Sequence, residues 1–167
     1  MPQPDLYQRQ TELYDLLVSR EDHHGRLMPA VEALLPLTGR DVVEAGAGTG
    51  RLTFLLARKA SRVRAFDVTE QMLHRAELRR RREGIENCSF AQGDTRSLPV
   101  ESASADLAIE GWSVLQMADW VGSGWEDSVD QAEELIGFFF GEAMAREVRR
   151  RNSPVVPECT GLWWRRI

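Results

Sequence analysis

The sequence predicts an α/β fold, a doubly wound parallel sheet flanked by helices, and three observations carry that prediction. Short extended segments alternate with helical ones, a glycine-rich turn follows the first extended segment, and acidic residues stand at or just past the ends of the others. With 167 residues and 43% hydrophobic content, the chain is long enough to bury one sizeable core. We read it as one domain: a helical N-terminal segment over 1–39, a central core over 40–115, and a C-terminal helix and tail over 126–167.

Taken in order, Leu6, Leu13, Leu16 and Leu17, then Leu27, Val31, Leu34 and Leu35, recur near a helical period, and Pro36 with Gly39 ends that section. Asp41 to Ala45 is a short strand that runs into Gly46-Ala47-Gly48-Thr49-Gly50. Leu52, Leu55, Leu56 and Ala60 mark the next helix, and Arg62 to Asp67 the second strand. Thr69 is placed to cap a helix that buries Met72, Leu73 and Ala76 and stops at Gly84 with Ile85. Cys88 to Gln92 and Ala105 to Glu110 are the third and fourth strands, joined by a loop over Gly93 to Ser104. From Glu126 to Arg151 one long helix is expected, with Val129, Ala132, Ile136, Phe139, Ala143 and Met144 on one side. Pro154 and Pro157 confine the tail to an edge strand or irregular chain.

Composition removes several function classes. A formal charge of −5 disfavours tight binding to a phosphate backbone. Cys88 and Cys159 lie far apart and outside any metal-ligand spacing, and His23, His24 and His74 match no HExxH pattern, so no metal site is expected. Asp5, Arg9, Glu12 and Asp15 interrupt the apolar residues of the start, and no later stretch is long enough to span a membrane. Cytoplasmic residence without a membrane partner is the expectation. The runs Arg79 to Arg82 and Arg149 to Arg151 close helices, where cations complement the dipole. Trp163 and Trp164 read as packing residues.

Three weak signals gain weight from their order. Gly46, Gly48 and Gly50 let the backbone turn sharply after a strand and approach a ligand without a clashing Cβ. The pattern is E-x-G-x-G-x-G, and Arg51 stands where the dinucleotide fingerprint requires its third glycine. Asp67, at the second strand's end, is placed to accept both ribose hydroxyls of an adenosine ligand. Asp94, just past the third strand, is placed to accept an adenine amino group. Alone, Asp67 is more often a helix cap or solvated group, Asp94 more often a turn residue, and the glycine turn a weak signal. Together they follow successive strands, at the edge where open parallel sheets bind ligands.

Val42-Val43-Glu44-Ala45-Gly46-Ala47-Gly48-Thr49-Gly50-Arg51-Leu52-Thr53 resembles motif I of the class I S-adenosylmethionine-dependent methyltransferases. Phe66 to Leu73, Gly93-Asp94 through Leu98-Pro99, and Asp106 to Trp112 are similar to that family's next elements, so the likeness covers about residues 40 to 115. It implies a Rossmann-like sheet, S-adenosylmethionine as cofactor, and a pocket lined by Glu44, Gly46, Gly48, Gly50, Asp67, Met72, Asp94 and Glu110. Beyond the fourth strand the pattern departs: there is no turn resembling L-x-P-G-G and no convincing fifth strand, as if the segment between had been lost. Fewer strands than the family standard are expected. Glu110-Gly111-Trp112-Ser113 stands where methyltransferases of nucleic-acid amino groups carry [DN]-P-P-[YF], which argues against base methylation. The implied function is methyl transfer to a small molecule or a protein side chain. No catalytic base is assigned, although Glu110 or the Trp112 face is placed to stabilise a sulfonium. Two other readings stay open: a non-catalytic cofactor-binding protein or inactive remnant, and an NAD-dependent oxidoreductase, which Arg51 argues against. The oligomeric state is open as well.

Overall fold

The computed structural model describes residues 11–19, 22, 25–111 and 128–153. Its elements run α1 (Thr11–Ser19), α2 (Leu27–Leu34), β1 (Asp41–Ala45), α3 (Arg51–Ala57), β2 (Arg62–Asp67), α4 (Glu70–Glu83), β3 (Cys88–Gln92), β4 (Leu107–Glu110), α5 (Val129–Phe140) and α6 (Glu142–Arg151). Two compact units result, one of residues 31–116 and one built from residues 1–30 and 117–167. Trp112, Cys159, His23, His24, Trp163 and Trp164, on which the sequence reading also touched, lie outside the described residues.

In the first unit the four described strands form a sheet in the order β3-β2-β1-β4, and every pairing is parallel. Successive strands step outward from β1 to β3, and the chain then crosses back to lay β4 on the other side of β1. That reversal makes the carboxyl end of β1 a topological switch point, the position at which open parallel sheets bind ligands. The register aligns the ends: Ala45 pairs with Phe66 and with Glu110, and Asp67 with Gln92.

Burial follows strand position. Val42, Val43 and Val63 are buried in the central strands, and Phe54 and Leu56 of α3 and Met72, Leu73 and Ala76 of α4 complete the core. Each fully buried large aliphatic or aromatic side chain contributes about 1.5–3 kcal/mol of transfer free energy. On β4, by contrast, Ala108 and Glu110 are exposed. The helix stop at Gly84 is as expected: its φ is +65°, its N–H reaches the Arg80 and Arg81 carbonyls, and Ile85 N–H donates to Arg80 O at 3.0 Å. Thr69 occupies the N-cap of α4, but its side chain makes no capping hydrogen bond. Asp67 Oδ1 instead accepts the Thr69 N–H at 2.8 Å.

The fourth strand begins two residues later than the sequence suggested, at Leu107, although the Asp106 N–H already donates to Asp41 O at 2.8 Å. The Asp106 carboxylate accepts the Asp41 N–H and an Arg40 guanidinium N–H, which fixes the entry to β1.

The second unit corrects the expectation of one long C-terminal helix. Gly141, with φ +87° and ψ 170°, breaks it into α5 and α6. The break changes the helical phase, so Ala145 and Val148 are buried while Ala143 faces solvent. Leu17, Ala132, Ile136 and Val148 form this unit's core, with Leu13, Tyr14, Leu16, Val129 and Met144 against it. A Cβ on Gly137 would stand 3.0 Å from the Ala145 Cβ, so this glycine sets how closely α5 and α6 approach. The arginine runs are paired as surface groups: Arg149 with Glu133, Arg150 and Arg151 with Glu147, Arg80 and Arg81 with Glu77.

Candidate functional site

The carboxyl edge of the sheet collects the sequence-predicted residues. Gly46, Gly48 and Gly50 all have positive φ, at 72°, 54° and 85°. Gly50 also meets a close packing limit, since a Cβ there would lie 2.9 Å from both Phe54 Cε2 and Phe90 Cζ. These two rings meet edge to face with centroids 5.7 Å apart, and the Arg79 guanidinium lies 4.5 Å from the Phe54 centroid. The turn is tied to β2 by Ala47 N–H, which donates to Phe66 O at 2.9 Å.

Asp67 binds the turn from the other side. Its Oδ2 accepts the Gly48 N–H at 2.8 Å while Oδ1 takes that of Thr69. Each oxygen retains acceptor capacity, because an ionised carboxylate offers about four lone-pair sites. The half-buried side chain is therefore positioned by backbone donors and still able to accept two hydroxyls. Beside it Val68 leaves an apolar side chain 58% exposed, and Gln92 Nε2 donates to Val68 O at 3.0 Å.

Glu44 lies beneath the turn, 1% exposed, and the fully buried Thr53 hydroxyl donates to its Oε2 at 2.5 Å. Burial pushes the Glu44 carboxyl up to about 8; the Thr53 hydrogen bond and Arg51 act against that shift, and Asp67 adds to it. A neutral acid inside the strand–turn–helix unit is thus a packing and hydrogen-bonding group. Thr53 was not singled out from sequence, although the third position of a helix following a tight turn folds back beneath the strand end.

Asp94 follows Gly93, whose N–H donates to Asp67 O at 3.0 Å and whose missing Cβ leaves room for Phe66 and Pro99. Arg96 donates to it from Nε, from Nη2 and from the backbone, which holds the carboxyl down at about 2. Met72 is buried in the first turn of α4, a core position rather than an open wall. Glu110 is exposed at the end of β4, and a Cβ on the next residue, Gly111, would stand 2.8 Å from Leu52 Cδ2. The edge thus brings together the glycine turn, Asp67, Asp94 and Glu110, whereas Glu44 and Met72 lie in the layer beneath. Among the described residues no group of three His, Cys, Asp or Glu side chains is arranged to hold a metal ion.

Residues 42–123 match the family model described as methyltransferase domain. This region is a methyltransferase domain. It contains every residue of the sheet edge just described. Phosphoethanolamine N-methyltransferase 1 of Caenorhabditis elegans is 35% identical over 88 residues, 52% of this chain and 18% of that protein. Cypemycin N-terminal methyltransferase of Streptomyces sp is 34% identical over 103 residues, 61% of this chain and 41% of that one. The chain therefore spans under half the length of either relative. Among solved structures, phosphoethanolamine N-methyltransferase 1 of Haemonchus contortus, crystallised with phosphoethanolamine and S-adenosylhomocysteine, superposes with a TM-score of 0.55. That match, at 24% identity, covers 79% of this chain and 26% of the other, and it establishes the shared class I, Rossmann-like fold of the methyltransferase domain.

Proposed function

We propose that the chain binds S-adenosylmethionine at the carboxyl edge of its sheet and transfers the methyl group to a small-molecule or protein acceptor. The observation that carries this reading is Asp67: backbone donors fix both its oxygens in place while leaving each able to accept one ribose hydroxyl. The residues present fit the cofactor in other respects. Val68 offers an exposed apolar surface beside that carboxylate, Asp94 stands two residues past the Asp67–Gln92 pairing for an adenine amino group, and Gly46 and Gly48 admit the amino acid portion. Glu110 is placed at the end of β4, across from Ala45, where a sulfonium would be met by a carboxylate.

Bound there, the cofactor supplies an electrophilic methyl group on sulfur, which an acceptor lone pair displaces in line. Such a step depends on positioning and exclusion of water more than on an acid–base pair. The residues of this chain accordingly hold and orient: Asp67 fixes the ribose, and Glu44 and Thr53 stiffen the unit beneath; the proton that an N–H or O–H acceptor gives up passes to solvent or to a base that is not assigned. The relatives' names include a phosphoethanolamine and an N-terminal methyltransferase, which supports keeping both acceptor classes. Isothermal titration with S-adenosylmethionine, S-adenosylhomocysteine and NAD tests the reading. Binding of the first two but not of NAD is expected; a folded sample that binds only NAD, or none of the three, would overturn it.

A further inference from the structure

We propose that Arg96 gates the adenine end of the site: it fills the acceptor positions of Asp94, so an adenine amino group binds only when the guanidinium lets go. The inference rests on the cofactor reading above. Around Asp94, Arg96 Nε donates to Oδ1 at 2.9 Å and to Oδ2 at 3.2 Å, Nη2 donates to Oδ2 at 2.5 Å, and the Arg96 backbone N–H donates to Oδ1 at 2.9 Å. Three N–H groups make these contacts, the Nε–H being shared between both oxygens, so the lone pairs of the carboxylate that face Arg96 are taken. A further donor approaching from that side must displace the guanidinium.

The donor that yields is the side chain. The backbone N–H is fixed by the turn in which Ser97 N–H reaches Asp94 O at 2.8 Å. Among the described residues the guanidinium pairs with Asp94 alone, and the Arg96 side chain is 87% exposed against 39% for Asp94. Ion pairs in such surroundings are weak and screened by salt, so the gate is cheap to open. Asp67 on the same edge differs, because both its donors are backbone groups and each oxygen keeps room for a ligand. One carboxylate of the edge is open, and the other is occupied by a removable side chain.

Arg96 is thereby a specificity-determining residue. A ligand with the adenine amino group must break the pair, whereas a purine ligand lacking that group leaves it intact. Removing the guanidinium should help only the first. Titration of the full chain and its Arg96→Ala variant with S-adenosylhomocysteine, and with its purine analogue lacking the 6-amino group, reads this directly. Adenosylhomocysteine is expected to bind the variant about two- to fivefold more tightly, as loss of an exposed pair allows, with the purine analogue unchanged. Added salt should narrow the gap between the two proteins. Equal tightening of both ligands would overturn the gate, as would adenosylhomocysteine binding unchanged or weakened in the variant. If neither protein, each with an intact melting transition, binds adenosylhomocysteine, the cofactor reading fails and takes the gate with it. Binding by both without a gain removes the gate alone.

Discussion

Glu44 near the end of β1 and Asp94 just past the end of β3 are both acids, and their surroundings give the two opposite chemistry. Glu44, on the central strand, is sealed from water and bonded to the Thr53 hydroxyl, and its carboxyl is driven up to about 8. Asp94, on the loop beyond β3, lies open beside a guanidinium and is driven down to about 2. Desolvation dominates the first and a charged hydrogen-bond partner the second. Position in the sheet decides which: β1 is flanked by β2 and β4 and Glu44 is one of its three buried residues, whereas β3 pairs with β2 alone among the described strands. An acid motif on a central strand is therefore a structural device, and one on a loop past the strand ends is available to ligands.

The largest effect expected of this contrast is a pH dependence of stability that belongs to Glu44. Below pH 4.5 the folded and unfolded chains both carry its proton, and its contribution is fully present. Between 4.5 and about 8 only the folded chain carries it, so stability falls as pH rises, by at most about 1.4 kcal/mol per unit. Glu77, Asp94 and Glu147, each held down at about 2, act in a separate window, losing their contribution as pH falls from their ordinary values. Glu44→Gln keeps an acceptor for Thr53 and has no proton to lose. Urea unfolding across the window should show a flatter profile for the variant, with the advantage over the native chain growing toward pH 8. Parallel profiles would place the slope elsewhere and refute a neutral Glu44.

A second effect separates packing from backbone strain within the first unit. Gly50 and Gly39 have similar left-handed φ, +85° and +75°, but a Cβ at Gly50 meets two phenyl rings at 2.9 Å while one at Gly39 meets nothing within 4 Å. Gly39→Ala should cost about 1–2 kcal/mol, the strain alone. Gly50→Ala should add about 1–3 kcal/mol of overpacking. Equal urea midpoints for the two variants would mean that the rings move aside freely.

Third comes Asp67→Ala, which removes the acceptor proposed for the ribose and the anchor of Gly48 N–H together. Loss of about 2 kcal/mol, roughly thirtyfold in adenosylhomocysteine affinity, is expected by titration. Unchanged affinity in a folded variant would remove Asp67 from the site.

Much of this was legible in the sequence because local rules and the fold agree there. The E-x-G-x-G-x-G run, the strand ends at Asp67 and Gln92, and the stop at Gly84 each follow from spacing and from the conformations only glycine adopts readily. The elements missed depend on contacts that spacing does not encode. Gly141 sits in good helical periodicity, and only its φ and ψ, outside the range of other residues, show that the helix ends there. Asp106 reads as strand until its carboxylate is seen to hold Asp41 and Arg40. The layer to which Glu44 belongs, beneath the edge rather than on it, becomes visible only once Thr53 folds back under the strand.

The smallest effect sharpens the comparison of the two acids from the exposed side. Asp94→Ala deletes the acceptor proposed for the adenine amino group and at the same time frees Arg96, so part of the loss is offset by a pair that no longer has to be broken. In open solvent the net contribution of such a carboxylate is small, and adenosylhomocysteine affinity should fall by no more than about fivefold. The purine analogue lacking the 6-amino group should bind the variant and the native chain alike, since it makes no demand on Asp94. Stability should hardly change either, because the side chain buries no apolar surface and its ion pair is exposed. If Asp94→Ala instead weakened binding as much as Asp67→Ala, a carboxylate open to water would match one held by two backbone donors. The distinction drawn from their surroundings would then fail at the site where it has the most consequence for ligand choice.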